Sequence, residues 1–148
     1  LVRILLTSKN TLQKTPFGFS LIEMLITLSI IAILTLTALP SYQRHISTSK
    51  RHHAKIALLQ LANRLEIYHG IHHTYQNAKP NELGLDPLSR DLAYQLKIKQ
   101  ADTTHYLIQA IPNSQQSKHD SACGSLSLSN TGKRMISGSG NIQQCWGR

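Results

Sequence analysis

A long, predominantly apolar run near the beginning of this chain contrasts with shorter periodic patterns further along. Residues Phe19 to Leu39 are predominantly apolar and number 21. A helix rises about 1.5 Å per residue, so a run of this length crosses the roughly 30 Å hydrocarbon layer of a bilayer. The pattern therefore predicts a membrane-spanning helix over residues 19–39.

A second helical pattern follows this run. Pro40 cannot donate a backbone hydrogen bond and its ring clashes with the preceding turn, so we expect a kink or local melting there. A plain helix end at Leu39 is the alternative. Beyond Pro40, apolar residues recur every three or four positions: Ala54, Leu58, Leu61, Leu65 and Tyr68. This spacing predicts an amphipathic continuation over residues 40–70, with Gly70 as the stop.

The remaining residues, 71–148, show the patterns of a small globular head. Residues 71–90 carry turn signals and are expected to form a loop. Strict alternation of Leu92, Tyr94, Leu96 and Ile98 with polar or small residues predicts a half-buried strand. Shorter alternating stretches predict three more strands, near 106–110, 126–128 and 133–137. Short turns favour antiparallel neighbours, so the expected fold is α+β, with a long helix packed on a four-stranded antiparallel sheet.

One carboxylate, Glu23, lies inside the apolar run, where a charge at mid-bilayer costs roughly 2.5–3.5 kcal/mol. Ser20 and Glu23 also match the capping box, in which the two side chains satisfy free amides at a helix start. The segment Gly18-Phe-Ser-Leu-Ile-Glu-Met-Leu-Ile-Thr27 resembles the processing site of type IV prepilins. This resemblance implies removal of the basic leader 1–18 by cleavage after Gly18, and N-methylation of Phe19.

The same resemblance implies a role for Glu23 in filament assembly. The amine freed at Phe19 is cationic, and Glu23 of a neighbouring subunit would neutralise it, since two buried charges are tolerable only when paired. Pro40 falls where many pilins carry a helix-breaking proline. Two positions depart from the family pattern: no basic residue directly precedes Gly18, and Gln60 stands where a second proline is often found.

Both cysteines, Cys123 and Cys145, lie near the C-terminus. An oxidising periplasm would pair them, whereas the alternative is two unrelated buried thiols. The stretch from Asp120 to Gly132, followed by a Gly/Ser segment and Cys145-Trp146, resembles the tail of PilE-like pilins. The resemblance implies that the two cysteines close the last loop of the head.

The chain is basic, with 16 Lys and Arg, 7 Asp and Glu, and a formal net charge of +9. Loss of residues 1–18 removes three bases and no acid, which leaves +6. Such a surface could attract nucleic acid, anionic lipid or acidic polysaccharide, or could serve ordinary solubility. The candidate DNA-contacting residues are Lys97, Lys99, Lys133 and Arg134, which could form one basic patch on the head together with Lys118 and Arg148.

The sequence predicts neither catalysis nor a cofactor. His69, His72 and His73 have helical spacing, but the expected break at Gly70 and the lack of a nearby Cys or carboxylate argue against a metal site. Acidic clusters of the calcium-binding type are also missing, which counts against the major pseudopilin of type II secretion. We therefore expect no catalytic residue and no metal ligand.

The resemblance implies a structural subunit, a minor pilin of a type IV pilus. Two alternatives stay open: a DNA-binding minor pilin for DNA uptake, and a pseudopilin of a type II secretion system. The expected partners are other pilin subunits, the prepilin peptidase, the inner-membrane assembly platform and the inner membrane, with DNA or a host surface as further candidates. The chain would cross the inner membrane once, N-terminus in the cytoplasm, and become extracellular on assembly.

Overall fold

The computed structural model describes residues 18–87 and 91–147, so most of the leader, residues 1–17, lies outside the described part. The elements, in chain order, are helix α1 (Leu21–His72), strands β1 (Tyr94–Ala101) and β2 (Tyr106–Pro112), helix α2 (Ser114–His119), strands β3 (Leu126–Ser129) and β4 (Arg134–Ile136), and helix α3 (Ile142–Trp146). The chain divides into two compact units at residue 37, and each is described by itself.

In the first unit, residues 18–37 are all exposed. The hydroxyls of Thr27, Ser29, Thr35 and Thr37 each donate to a carbonyl three or four residues earlier, at 2.7–3.0 Å. These polar groups are thus satisfied within the helix, as an apolar surrounding requires. Among the described residues, α1 is the one helix long and apolar enough to span a membrane.

The second unit packs the later part of α1 against an antiparallel sheet with strand order β1-β2-β3-β4. Leu58, Leu61 and Leu65 of α1 are fully buried, in one hydrophobic cluster with Tyr94 and Ile108 of the sheet. The α+β fold and the four antiparallel strands predicted from the sequence are therefore confirmed. The helical stripe and the alternating strand residues meet because each needs the other to leave water.

Helix α1 departs from its predicted boundaries. It runs without interruption across Pro40 and through Gly70, so neither residue ends it. It stops at His72, because His73 adopts a positive φ of 55° and donates the last helical hydrogen bond to His69. The alternative of a helix end at Leu39 is thus wrong, while a bend at Pro40 stays a prediction.

Strand β1 starts two residues later than its alternation suggested. Leu92 is exposed and has a positive φ of 55°, whereas the next residue, Ala93, is buried. The left-handed residue turns the chain just before the strand, so the inward-facing series begins at Tyr94. The bulge between Ile98 and Gln100 then shifts the register by one residue near the end of the strand.

Two short helices were not predicted. Asn113 caps α2 by accepting a hydrogen bond from the Gln116 amide at 2.8 Å, and Asn141 caps α3 by accepting one from the Gln143 amide at 2.8 Å. Helices of six and five residues are too short to show a hydrophobic period. Their asparagine caps are the sequence signals that could have found them.

A disulfide between Cys123 and Cys145 closes the C-terminal part of the chain over a sequence separation of 22. It joins the segment after α2 to α3, and both cysteines are buried. The structure thus pairs the cysteines as the resemblance implied. The alternative of two separate buried thiols is excluded.

Candidate functional site

The expected processing point lies just before α1. Gly18 is exposed, and Phe19 is 79% exposed. The carbonyl of Ser20 accepts the first helical hydrogen bond, from the Met24 amide at 3.2 Å. An extended, accessible segment before the helix is the form in which a peptidase can reach a scissile bond.

Glu23 lies in the first turn of α1 and is exposed. Within the described part of the chain, neither its carboxylate nor the Ser20 hydroxyl has a hydrogen-bond partner, so the capping box is not formed. Glu23 therefore differs from the four hydroxyl residues named above, whose hydroxyls donate to carbonyls of their own helix. An ionised carboxylate is costly in an apolar surrounding unless it is paired.

The candidate DNA-contacting lysines of β1 are exposed, and the four strands contain no acidic residue. Lys97 points away from the helix, in a row that continues through Gln109, Ser127 and Met135 on the neighbouring strands. Lys99 occupies the bulge at the end of the same strand. The charged side chains that the strands place on this outer face are therefore positive, and Gln95 and Gln109 lie beside Lys97.

Arg134 does not share this face. It pairs with Leu128 in the row that packs towards the helix, and its guanidinium carbon lies 5.6 Å from the centre of the Trp146 ring. Strand β4 is also the opposite edge from β1, about 14 Å away across three strand spacings. Lys133 precedes Arg134, so strand alternation predicts it on the outer side with Lys97.

The four candidate cations thus divide between two surfaces. Lys97, Lys99 and Lys133 belong to the outer face or its edges, and Arg134 belongs to the helix side. Of the two further bases, Lys118 is exposed on α2, and Arg148 lies outside the described residues.

His69 and His72 lie on the same helix, contrary to the expected break at Gly70, whereas His73 follows the helix end. His69 stacks on Tyr75 with ring centres 4.3 Å apart, and His72 packs on Tyr68 at 4.2 Å. The imidazole rings of His69 and His72 therefore pack against aromatic side chains. Residues 18–87 and 91–147 contain no group of three His, Cys, Asp or Glu placed to hold a metal ion.

Lys55 is more buried than its place in the sequence indicates. It lies outside the apolar stripe of α1, so an exposed position on the polar face is expected, yet it is only 8% exposed. Burial, and then the positive charges of Arg51 and Arg134, lower the pKa of Lys55. Burial and the neighbouring Lys55, Arg51 and His53 likewise lower the pKa of His52. The signal available in the sequence was its position directly beside Ala54, at the edge of the apolar stripe.

Comparisons with known proteins found two family models that match this chain. A family model described as the prokaryotic N-terminal methylation motif matches residues 16–39. Another, described as type IV minor pilin ComP, DNA uptake sequence receptor, matches residues 40–127, more than half of the chain. No curated protein matches the sequence significantly.

Among solved structures, the non-core minor pilin PilV of Neisseria meningitidis is similar, with a TM-score of 0.52 and 21% sequence identity. The match covers 70% of this chain and 96% of PilV. At this identity the likeness shows the fold alone. It confirms the type IV pilin fold, with a long N-terminal helix packed on a four-stranded antiparallel sheet.

The fold and the N-terminal segment together define a type IV pilin. The chain belongs to the ComP family of type IV minor pilins. It is therefore a structural subunit that assembles with other pilins in a pilus, and its apolar helix is consistent with membrane anchoring before assembly. Pilin families are structural rather than enzymatic.

Proposed function

We propose that this minor pilin enters a type IV pilus through its N-terminal helix and offers its head as a receptor for DNA. The observation that carries the receptor role is the outer face of the sheet. It bears exposed Lys97 and Lys99, and the strands that form it contain no acidic residue. The family model that matches this head is described as that of a DNA uptake sequence receptor.

Entry into the pilus begins with processing. The prepilin peptidase cleaves after Gly18, the new terminus at Phe19 is N-methylated, and the inner-membrane platform assembles the subunit. Residues 19–39 cross the inner membrane once before assembly, with the N-terminus in the cytoplasm, and the head becomes extracellular afterwards. The exposed Phe19 and the partnerless Glu23 support this sequence of events.

The charge pairing at Glu23 fixes how subunits align. The carboxylate of one subunit neutralises the Phe19 amine of its neighbour, so helices pack in one axial register. This pairing relieves the cost of an ionised carboxylate in an apolar core, which a satisfied hydroxyl such as that of Thr27 does not incur. The family assignment favours this pilus role over that of a secretion pseudopilin.

The outer face has the chemistry that nucleic acid requires. Lysines contact phosphates, and their contacts set both affinity and salt dependence. Gln95 and Gln109 lie on the same face as Lys97 and carry the paired donor and acceptor that base edges require. Lys133 would extend the phosphate contacts towards β4.

The test uses full-length protein in detergent micelles and the fluorescence anisotropy of a labelled DNA duplex. We expect log affinity to fall linearly with log salt, by about 0.9 per phosphate contact. Lys97→Gln should weaken binding and reduce the slope by about one contact. Lys118→Gln removes the same charge from α2 and should change neither.

Binding without salt dependence, or equal losses in the two variants, would contradict a receptor role for the outer face. Retention of DNA only by chains that keep residues 1–18 would contradict it as well, because the leader would then supply the contacts. The assay does not depend on whether Glu23 directs assembly.

A further inference from the structure

A pocket of about 200 Å³ lies on the helix side of the sheet, between α1 and the β4 edge. Three of its lining residues are basic and one is the tryptophan of α3. The lining is formed by His52, Lys55, Ile56, Leu59, Arg134 and Trp146. Arg134 belongs to the row of β4 that packs towards the helix, so this pocket is separate from the outer face proposed for DNA.

Lys55 is the decisive residue of this pocket. It is 8% exposed, and its Nζ donates one hydrogen bond, to the backbone oxygen of Trp146 at 3.0 Å. An ammonium group has three donors. No carboxylate in the described part of the chain lies within ion-pair distance of Lys55. A buried charge in this condition is costly unless a counter-charge arrives.

The neighbouring positive charges add to the free-energy cost of burying the Lys55 ammonium group. Arg134 and Arg51 both act on Lys55 as like charges, and they contribute to its lowered pKa. The carboxylate of Asp120 is paired with Arg51. Among the described residues, positive potential is therefore concentrated at the pocket without an anion to balance it.

Arg134 is held in place by its contact with the Trp146 ring. The indole is itself fixed, because its Nε1 donates to the backbone oxygen of Met135 at 3.1 Å. A guanidinium held over an aromatic ring keeps its planar donor fork available for a two-oxygen ligand. Preorganised donors lower the ordering cost of binding.

We propose that this pocket is an oxyanion site, in which Lys55 and Arg134 bind one phosphate group beside the Trp146 ring and His52 lies at its edge. The site goes beyond the receptor function of the outer face and does not depend on it. The phosphate is either free inorganic phosphate or a phosphodiester group of nucleic acid. The two sources share the same chemistry and differ in what else the ligand contacts.

Trp146 provides the measurement, because it is the single tryptophan of the chain. Full-length protein in detergent micelles is titrated with inorganic phosphate, with sodium chloride holding the ionic strength constant. We expect a saturable change in tryptophan emission and a rise in melting temperature. Arg134→Gln should weaken phosphate binding about tenfold or more, since a charge-assisted hydrogen bond is lost.

Two variants make the result specific. Arg134 is exposed, so its replacement should leave the fold intact even if Lys55→Met does not. Lys118→Gln serves as the matched control and should bind phosphate as the unaltered chain does, because Lys118 is exposed on α2 and lies in neither proposed surface. Emission that changes equally with chloride, or phosphate binding that survives Arg134→Gln, would overturn the proposal.

A competition arm separates the two sources. A short DNA duplex that displaces phosphate, and whose own affinity falls in Arg134→Gln, would support the phosphodiester source. Phosphate binding that the duplex leaves unchanged would support the free anion. Failure of the outer-face experiment with Lys97→Gln would leave either result standing, because the two surfaces are probed by different variants.

Discussion

The guanidinium of Arg51 forms an ion pair with the carboxylate of Asp120, and this pair joins α1 to the start of the disulfide-closed segment. The Tyr94 hydroxyl donates to the same carboxylate at 3.2 Å. Gln116, at the centre, donates to the Ser47 carbonyl at 2.9 Å. Four polar side chains and a helix carbonyl thus form one buried network within the second unit.

Loss of Asp120 should therefore destabilise the head strongly. Asp120→Ala leaves the Arg51 charge buried without a partner, and we expect a loss of about 3–5 kcal/mol in unfolding free energy. Glu82→Gln breaks an ion pair with Lys79 whose side chains are 57% and 71% exposed, so the expected loss in unfolding free energy is much smaller. Chemical denaturation of both variants checks the contrast, and similar losses would contradict it.

The disulfide should contribute separately to stability. Cys145→Ser opens a loop with a sequence separation of 22, and the chain-entropy model gives a loss of about 3 kcal/mol. Melting of the unaltered protein should fall to a similar extent when reductant is added, while the variant should not respond to reductant. Equal melting with and without reductant would argue that the bond does not form in solution.

The lowered pKa of Lys55 predicts how stability changes with pH. The unfolded chain binds this proton up to about pH 10.4, whereas the folded chain releases it at a lower pH. Folding is therefore penalised below the folded pKa, and the penalty is relieved as pH rises towards 10.4. Lys55→Met removes this dependence.

The measurement is the difference in unfolding free energy between Lys55→Met and the unaltered protein, in chloride buffer without phosphate. This difference should shift in favour of the unaltered protein as pH rises from neutral into the alkaline range. Titration of Tyr94, Tyr106 and Lys79 is common to both chains and cancels. A difference that stays constant with pH would contradict an uncompensated charge at Lys55.

Periodic patterns predicted those parts of the fold in which burial repeats along one element. The stripe through Leu58, Leu61 and Leu65 and the alternation of Tyr94 and Leu96 survive in the structure because their burial depends on period alone. The predicted helix end at Gly70 was wrong, since a single glycine costs a helix only about 1 kcal/mol and is tolerated near its end.

The candidate site was less predictable, because it depends on which rows of the sheet face the helix. Lys97 and Arg134 are both basic residues of predicted strands, yet the strand register places them on opposite faces of the sheet. The burial of Lys55 arises from α3, which lies 91 residues further on at Trp146. No local sequence pattern around Lys55 predicts this contact with α3.

Replacing Glu23 should impair assembly and leave membrane insertion intact. Glu23→Val removes the carboxylate proposed to neutralise the Phe19 amine of a neighbour, and that amine would then be buried unpaired at about 3–5 kcal/mol. Thr27→Val is the matched control, because the Thr27 hydroxyl is satisfied by the Met24 carbonyl of its own helix. Immunoblots of sheared pili and membranes give the distribution, and normal amounts of the Glu23→Val chain in pili would refute the pairing.

The central claim is that the chain is freed after Gly18 and enters a pilus by its new N-terminus. The most direct test is intact-mass and N-terminal peptide mass spectrometry of the chain recovered from purified pili. We expect a chain that begins at Phe19 and carries one added methyl group. A chain that retains residues 1–18, begins elsewhere or is missing from the pili would contradict it.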